Sequence, residues 1–330
     1  MHVLVTGGGG FLGSAITKAL IQKGNNVTVI GRRKYLHLPP SVKALQGDIR
    51  DYEFIKSCSK DVDVVIHTAA FPGIWGPVQE FFSINVQGTK NIIKACRYNS
   101  IPKLVFTSSP SVVFAHSSLE GVDESAPYPE TYLCEYSNTK AIAEKMVLQE
   151  NDSSLCTTAI RPHLIWGPGD PHLIPRILQK ANVNRLMIVG EGMNQVDMTY
   201  IDNAVSAHLK AALAPNSKVA GKAYFVSDDD PVFLWEWINN LLNRLGISVV
   251  TRKISYSNAM RLGTFLELVY GFLRLKSEPP MTRFLASQLA TSHYFDISKA
   301  KKDFNYQPLV SQEEGINHLI RSLKFPHQGD

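Results

Sequence analysis

A serine, a tyrosine and a lysine in this chain have the types and spacing that reduction of a carbonyl group requires. Tyr136 and Lys140 are four residues apart, so on a helix they share one face. Ser109 follows an apolar run that predicts a strand. Ketone reduction needs a proton at oxygen, and a free phenol, with a pKa of about 10, is a weak acid. We expect Tyr136 to donate that proton, Lys140 to lower the pKa of the phenol, and Ser109 to bind the substrate oxygen.

Each part of this constellation has a simpler explanation. Tyr-x-x-x-Lys also occurs by chance on surface helices, where the tyrosine is merely amphipathic. Ser108 and Ser111 are rivals for the role of Ser109. The catalytic interpretation is favoured because the same chain carries a nucleotide-binding pattern and six predicted strands that bring these residues together.

The N-terminal residues 3–13 predict a strand, a tight glycine turn and the start of a helix. Gly7, Gly10 and Gly13 follow G-x-x-G-x-x-G, a spacing variant of the dinucleotide-binding fingerprint. Glycine allows a phosphate to approach the main-chain N–H groups at a helix N-terminus. Phe11 and Leu12 lie between these glycines and belong to the predicted cofactor site. A glycine-rich turn without a ligand is the alternative.

The second predicted strand, residues 27–30, indicates which dinucleotide is bound. Gly31 and three cations, Arg32, Arg33 and Lys34, stand where an acidic residue would bind both ribose hydroxyls. Cations suit a 2′-phosphate, so we predict NADP, with NAD as the alternative if the cations only form a solvated loop. Asp48, after the third strand, either accepts a hydrogen bond from adenine or caps the helix that begins near Tyr52.

Alternation of apolar strands and helices predicts an α/β fold of the Rossmann type, a doubly wound parallel sheet. Further strands are predicted at residues 42–48, 62–68, 103–107 and 157–161. Small residues after the fourth strand, Ala69 and Ala70, would let the cofactor lie flat across the strand ends. Residues 1–165 form the predicted NADP-binding domain, to which 195–226 return. Residues 166–194 and 227–330 form a smaller, mostly helical substrate-binding lobe. Further strands are predicted at 186–189 and 224–227, and further helices at 234–245 and 260–273.

Composition describes an ordinary soluble globular protein and argues against several classes. The net charge of +5 is mild, and no nucleic-acid-binding motif accompanies the scattered basic residues. The four cysteines include no C-x-x-C pair, so we expect reduced thiols, no disulfide framework and no metal site. The first strand begins at His2 and leaves no room for a secretory signal, so a cytoplasmic location is expected. Residues 262–275 are too short to span a bilayer, although they could lie on a membrane surface.

Further motifs extend the pattern along nearly the whole chain. They are Gly47-Asp48, His67-Thr68-Ala69-Ala70, Asn85 with Gly88-Thr89, Arg161-Pro162, Tyr200-Ile201-Asp202-Asn203 and the late stretch 294–300. With the glycine turn and Ser109, Tyr136 and Lys140, they resemble the extended short-chain dehydrogenase/reductases of the 3β-hydroxysteroid dehydrogenase branch. This resemblance implies that Asp48, beside Ile49, contacts adenine and that Asn85 supports the active-site backbone and a water. It also implies that Pro162 and Ile165 lie against the nicotinamide and that the protein is a homodimer.

Within that branch, several segments resemble the bacterial 2-alkyl-3-oxoalkanoate reductases of long-chain olefin biosynthesis. They include Ala69-Ala70 with Trp75-Gly76, residues 139–144, and 164–170 with His172-Leu173 and Pro175-Arg176. The resemblance implies NADP-dependent reduction of a 3-oxo group on a hydrophobic, carboxylated small molecule. A 3β-hydroxysteroid or sterol-4-carboxylate dehydrogenase working in the oxidative direction would need the same residues.

The expected substrate would meet apolar walls from three segments, residues 71–75, 164–166 and 262–273, although ordinary packing would explain them equally well. Trp75 and Ser111 are candidate substrate contacts. Arg176 and His172 are candidates for binding a carboxylate, with a surface arginine and a capping histidine as the alternative. His163 and His293 are expected to be structural, because a tyrosine already fills the acid/base role.

Two other classes use the same fold. A nucleotide-sugar epimerase or dehydratase shares the glycine turn and the Tyr/Lys pair, but it needs a polar, basic second lobe to bind a diphosphate. The second lobe of this chain is too apolar for that. A non-catalytic NADP-binding protein keeps the fold but has no need for an intact set of Ser109, Tyr136 and Lys140.

Overall fold

The computed structural model describes residues 1–33, 35, 38–115 and 117–324. The strands are β1 (His2–Thr6), β2 (Asn26–Gly31), β3 (Lys43–Gln46), β4 (Val64–His67), β5 (Lys103–Thr107), β6 (Leu119–Val122), β7 (Cys156–Pro162), β8 (Ile165–Trp166), β9 (Ile188–Val189), β10 (Gln195–Val196), β11 (Thr199–Tyr200), β12 (Lys222–Val226), β13 (Val232–Phe233), β14 (Lys253–Ile254) and β15 (His293–Phe295).

The helices surround these strands and connect them. They are α1 (Phe11–Gln22), α2 (Tyr52–Cys58), α3 (Val78–Phe81), α4 (Thr89–Tyr98), α5 (Glu135–Gln149), α6 (Leu173–Asn182), α7 (Ile201–Leu213), α8 (Asn216–Val219), α9 (Leu234–Arg244), α10 (Tyr256–Phe272), α11 (Arg283–Ala290), α12 (Ser298–Phe304) and α13 (Gln312–Lys324). A π-helical segment, Phe82–Gly88, joins α3 to α4, and a 3₁₀ turn, Pro110–Val112, follows β5. Among the described residues, no helix is long and apolar enough to cross a membrane.

Seven parallel strands form the central sheet in the order β12-β7-β5-β4-β1-β2-β3. The predicted doubly wound sheet is therefore confirmed. The order reverses direction at β1 and β4, and in such sheets ligands bind at the carboxyl ends of the strands near this point. The predicted strand at residues 224–227 is β12, which pairs with β7 and completes this sheet.

Helices cover both faces of the sheet, which is why its strands read as apolar runs. Val3 and Val5 point into one core together with Ile16 of α1 and Ala204 of α7. Leu4 points to the opposite core, where Ile55, Ile92 and Val147 come from α2, α4 and α5.

Short strands outside the central sheet build a second layer that the sequence patterns indicated only in part. A four-stranded sheet has the order β13-β10-β15-β6, and two-stranded pairs join β8 to β11 and β9 to β14. The strand predicted at residues 186–189 is shorter in the structure, since β9 covers only Ile188–Val189. This layer brings β15, near the C-terminus, beside residues that follow β7.

Candidate active site

The glycine turn between β1 and α1 is too crowded for larger side chains. Gly7 has φ +68°, and a Cβ there would lie 2.8 Å from Cα of Ala69. A Cβ on Gly13 would lie 2.2 Å from the carbonyl oxygen of Gly7. Gly10 caps α1 without a side-chain hydrogen bond, so the first N–H groups of the helix remain available. This backbone cradle fits the diphosphate of a dinucleotide.

A cleft of about 470 Å³, the nucleotide cleft, runs from this turn along the carboxyl ends of the central strands. The structure places most of the expected cofactor residues in its wall: Gly7, Gly10, Phe11, Leu12, Gly13, Arg32, Asp48, Ile49, Ala69, Ala70, Tyr136, Lys140, Pro162 and Ile165. Arg33 is exposed and lies outside this wall, and Lys34 lies outside the described residues.

Asp48 lies in the cleft wall and is held by a residue that the sequence analysis did not consider. Its carboxylate accepts hydrogen bonds from the main chain of Arg50 at 2.9 Å and from the Arg50 guanidinium at 2.7 and 3.1 Å. Arg50 lowers the pKa of Asp48, with a smaller contribution from Arg32, so the carboxylate stays ionised. The alternative role of Asp48 as a helix cap was wrong, because Asp51 caps α2 by accepting from the N–H of Phe54.

Tyr136 and Lys140 occupy the first two turns of α5 and share the cleft wall with Ser109, which follows β5. The Lys140 ammonium donates a hydrogen bond to the carbonyl oxygen of Thr107 and lies 4.0 Å from the centre of the Phe106 ring. Burial lowers the pKa of Lys140 to about 7.

The expectation that Lys140 lowers the pKa of Tyr136 stays a prediction, while the protein's other groups act in the opposite direction. Desolvation and the nearby Cys134 raise the pKa of Tyr136 to about 12, against a smaller opposing effect of Ser109. The physical reason is that the surrounding protein penalises the phenolate, while the Lys140 ammonium is bound to the Thr107 carbonyl. Near neutral pH the Tyr136 hydroxyl is therefore protonated.

The three neighbouring serines occupy different places. Ser109 lines the nucleotide cleft and also a second cavity, and its hydroxyl accepts a hydrogen bond from the main-chain N–H of Ser111 at 3.2 Å. Ser108 lines the nucleotide cleft but not the second cavity. Ser111 lines the second cavity but not the nucleotide cleft, and its buried hydroxyl has no hydrogen-bond partner among the described residues. Ser109 is thus the serine at the junction of the two spaces.

Asn85 supports the site from behind rather than lining either space. It lies in the π-helical segment and accepts a hydrogen bond from the N–H of Phe71 at 2.7 Å. It donates to the carbonyl of Phe71 at 3.3 Å and to the hydroxyl of Thr139 at 3.0 Å. These bonds tie the loop after β4 to α5, and π-helical turns are frequent at functional sites.

A buried ion pair lies one turn beyond Lys140 on α5. The carboxylate of Glu144 accepts from the Arg161 guanidinium at 2.6 and 2.9 Å and from the Tyr128 hydroxyl at 2.6 Å. The side chains of Glu144 and Arg161 are 0% and 3% exposed. Although burial opposes its ionisation, the Arg161 guanidinium lowers the pKa of Glu144. This pair fixes α5, and with it Tyr136, against β7.

The second cavity has a volume of about 280 Å³ and opens on Tyr136 and Ser109. The chain changes direction after β7 at Leu164, which has φ +42°. Pro162 and Ile165 line the nucleotide cleft, whereas His163 lines the second cavity. Aromatic and aliphatic side chains from distant segments form most of the remaining wall: Ile74, Phe114, Phe284 and Phe295.

The candidate substrate residues are divided between this cavity and the surface. Ser111, His172 and Arg176 line the cavity. Arg176 is half-exposed and forms an ion pair with Glu278. His172 does not cap α6 with its side chain, because Asp170 accepts from the N–H groups there. Trp75 lies outside both spaces, where its indole N–H donates to the carbonyl of Leu275 at 3.2 Å.

The comparisons with known proteins agree with this geometry. Residues 4–255 match the model of the 3-beta hydroxysteroid dehydrogenase/isomerase family. The chain belongs to this family. It is 46% identical over 327 residues to the 2-alkyl-3-oxoalkanoate reductase of Stenotrophomonas maltophilia, covering 98% of this chain and 99% of the relative. It is 32% identical to the decarboxylating sterol-4-alpha-carboxylate 3-dehydrogenase of Mus musculus, covering 97% and 90% of the two chains.

Solved structures share this fold. MoeE5 in complex with UDP-glucose and NAD matches with a TM-score of 0.78 over 99% of each chain at 23% identity. At that identity the likeness establishes the fold alone. As a member of the 3-beta hydroxysteroid dehydrogenase/isomerase family, the protein is an NAD(P)-dependent oxidoreductase that acts on CH–OH or C=O groups.

Arg50, the partner of Asp48, and three wall residues of the second cavity were not predicted from the sequence. Arg50 lay two residues beyond Asp48, and an Asp-x-Arg pattern could have indicated the pair. Phe114, Phe284 and Gln288 carried no local signal, because only the packing of β15 and α11 brings them to the cavity.

Proposed function

We propose that the protein reduces the 3-oxo group of a 2-alkyl-3-oxoalkanoate with NADPH. The observation that carries this proposal is the position of Tyr136 and Ser109 in the wall common to a dinucleotide-sized cleft and a largely apolar cavity. The 46% identity to an enzyme named for this reaction supports the choice of substrate.

The reaction divides between the cofactor and the chain. When bound, the nicotinamide supplies the hydride, and the glycine turn, Pro162 and Ile165 would hold the cofactor. Tyr136, protonated near neutral pH, gives its proton to the substrate oxygen as the alcohol forms. Ser109 donates a hydrogen bond to the same oxygen and stabilises the developing negative charge. Lys140 then lies on the same helix face to favour the phenolate left behind.

Steady-state assays with a short-chain 2-alkyl-3-oxo acid test this function. We expect oxidation of NADPH and formation of the 3-hydroxy acid. The alternative, a sterol-4-carboxylate 3-dehydrogenase, is supported by the 32% identical relative and predicts turnover of the sterol acid with the oxidised cofactor instead. Cofactor binding without turnover of either substrate would contradict both and favour a binding protein.

The preference for NADP rests on Arg32, which lines the cleft, with exposed Arg33 beside it. Charge-assisted hydrogen bonds to a 2′-phosphate each contribute about 1.5–3 kcal/mol, so Arg32→Ala should weaken NADPH by at least about tenfold. NADH lacks that phosphate and its Kd should be nearly unchanged. Equal losses for the two cofactors, measured by titration, would contradict the preference.

An exposed face of α10 supports a proposed contact with anionic membrane surfaces, in an otherwise cytoplasmic protein. Phe265, Leu268 and Phe272 are 62%, 68% and 88% exposed, and Arg274 and Lys276 follow the helix. Apolar side chains flanked by cations suit the interface of an anionic bilayer. Co-sedimentation should be stronger with anionic than with zwitterionic vesicles and should be reduced in Phe272→Ser.

The expected homodimer is also a proposal, and it rests on the family. Light scattering coupled to gel filtration should give twice the chain mass of 36.7 kDa. A monomer mass at micromolar concentration would contradict it.

A further inference from the structure

Two histidines in the second cavity take no part in the reaction described above. His163 follows β7 and His293 begins β15, and Nε2 of His163 lies 2.7 Å from Nδ1 of His293. Both side chains are buried, at 7% and 1% exposure, and both line the cavity that Ser109 and Tyr136 also line. The pair therefore faces whatever occupies the substrate space.

The hydrogen-bond partners of the pair determine where its protons lie. Nε2 of His293 is 2.9 Å from the main-chain carbonyl oxygen of Gln288, and a carbonyl only accepts, so this nitrogen carries a hydrogen. Nδ1 of a neutral His293 is then an acceptor, and Nε2 of His163 must donate to it. Nδ1 of His163 is left as a bare acceptor, without a hydrogen bond within the described parts of the chain.

The surroundings keep this acceptor unprotonated until an anion arrives. Burial lowers the pKa of His163, with a further contribution from His293, and lowers the pKa of His293 to about 4. The His163 ring is 5.5 Å from Phe295, and the His293 ring is 6.0 Å from Phe114. None of the described residues that line the cavity is acidic. The other titratable groups that line it are Tyr136, His172 and Arg176.

The pair is nevertheless built to stabilise a positive charge once an anion is present. With a proton on Nδ1, His163 would donate through Nε2 to Nδ1 of His293, and Nε2 of His293 would donate to the Gln288 carbonyl. Gln288 lies in the last turn of α11, where the unpaired carbonyls form the negative end of the helix dipole. A carboxylate in the cavity would supply the remaining counter-charge.

We propose that His163, oriented by His293, binds the carboxylate of the substrate and takes up one proton from solvent as it does so. The inference rests on the proposed function, since a 2-alkyl-3-oxoalkanoate carries that carboxylate beside the carbonyl that Tyr136 protonates. The imidazolium of His163 donates to one carboxylate oxygen, and Ser111 also lines the cavity, with its hydroxyl buried. Arg176, the candidate from sequence, already has its charge compensated by Glu278.

Calorimetric titration of the enzyme with bound NADP tests the proton uptake. The probes are a short 2-alkylalkanoic acid, which cannot be reduced, and its methyl ester. At pH 7, in two buffers with different ionisation enthalpies, we expect about one proton taken up per acid bound and none per ester. The wild-type titration needs no variant, so it is decisive even if a substitution at a buried histidine prevents folding. Acid binding without proton uptake would overturn the proposal.

The His163→Gln variant locates the proton. Its amide keeps a donor for His293 but does not titrate, so proton uptake should vanish and the acid should bind about 10- to 100-fold more weakly. The ester should bind nearly as in the wild type. His318→Gln, outside both spaces, is the matched control and should keep the uptake. Equal losses for acid and ester, or uptake that persists in His163→Gln, would contradict the assignment.

Turnover separates this inference from the proposed function. If the wild type reduces the 2-alkyl-3-oxo acid but acid binding proceeds without proton uptake, only the role of His163 fails. If it reduces no such acid, the proposed function fails as well.

Discussion

The nucleotide cleft and the second cavity meet at Tyr136 but are built from different materials. The cleft is made mostly of backbone, small residues and strand ends that follow one another along the sheet. The cavity is made of side chains from segments as distant as residues 72–74 and 284–295. Backbone recognition suits a cofactor shared by many enzymes, whereas side chains determine which substrate is bound. The two regions should therefore respond differently to substitution.

Tyr136 lies where the two regions meet. Loss of its hydroxyl should affect the chemical step, but neither cofactor binding nor substrate binding. Tyr136→Phe removes only the hydroxyl that we propose as the proton donor, and we expect kcat to fall by about 10²- to 10⁴-fold with little change in the Kd of NADPH. Tyr132→Phe is the matched control, because the Tyr132 hydroxyl donates to the Val112 carbonyl outside both spaces. Stopped-flow reduction and cofactor titration measure the two quantities. A near-normal kcat would mean that the proton comes from another group.

Glu144 supports both regions from behind, so its loss should reduce stability. Glu144→Gln leaves the buried Arg161 charge unpaired and should lower the free energy of unfolding by about 3–5 kcal/mol in urea. Glu313→Gln, in the exposed pair with Arg244, should change it by less than about 1 kcal/mol.

The same pair should make stability depend on pH. Because the pKa of Glu144 is lowered in the folded state, its contribution is present above the usual value of 4.5 and is lost as the pH falls through the folded-state pKa. The difference in unfolding free energy between wild type and Glu144→Gln should therefore shrink on acidification. A difference that is constant from pH 7 to pH 3 would contradict the role of ionised Glu144.

Gly13→Ala should disturb the cleft and spare the cavity. Its Cβ would lie 2.2 Å from the Gly7 carbonyl oxygen, and such overpacking costs about 1–3 kcal/mol. We expect NADPH to bind about tenfold more weakly, while KM for the oxo acid at saturating cofactor changes little. Gly271→Ala, where a Cβ meets no atom within 4 Å, should leave both values unchanged.

Phe284→Ala should disturb the cavity and spare the cleft, and its effect should be the smallest of those predicted here. Phe284 lines the cavity and lies 6.1 Å from the Phe114 ring, so its truncation removes apolar contact with the substrate. We expect KM for the oxo acid to rise by about three- to tenfold, with no change in cofactor Kd. Phe272→Ala, at an 88% exposed position, should leave KM for a dissolved substrate unaltered. A shared loss of both affinities in Phe284→Ala would show that the two regions are not separable.

The difference between the two regions also explains how far the sequence could predict the structure. The glycine turn, the small residues after β4 and the Tyr/Lys pair on α5 are local patterns whose geometry follows from chain conformation. The central sheet was predictable for the same reason, and β5 begins and ends at the expected residues.

What depends on distant packing was not predictable. The cavity exists because β15 lies beside β10 and β6, and strands of two or three residues leave no periodicity to detect. The raised pKa of Tyr136 was not predictable for a related reason, since its largest cause is desolvation by the whole fold. His163 and His293, separated by 130 residues, meet only through that packing.

β12 is synthesised well after its sheet partner β7, and this order has a consequence for biosynthesis. This strand, at residues 222–226, is the edge partner of β7, whose own residues leave the ribosome some sixty positions earlier. During that interval the nascent chain displays the unpaired N–H and C=O groups of β7, a template for intermolecular strand pairing. A fragment ending near residue 165 should therefore aggregate on translation, and chaperones should protect the growing chain until the seventh strand docks.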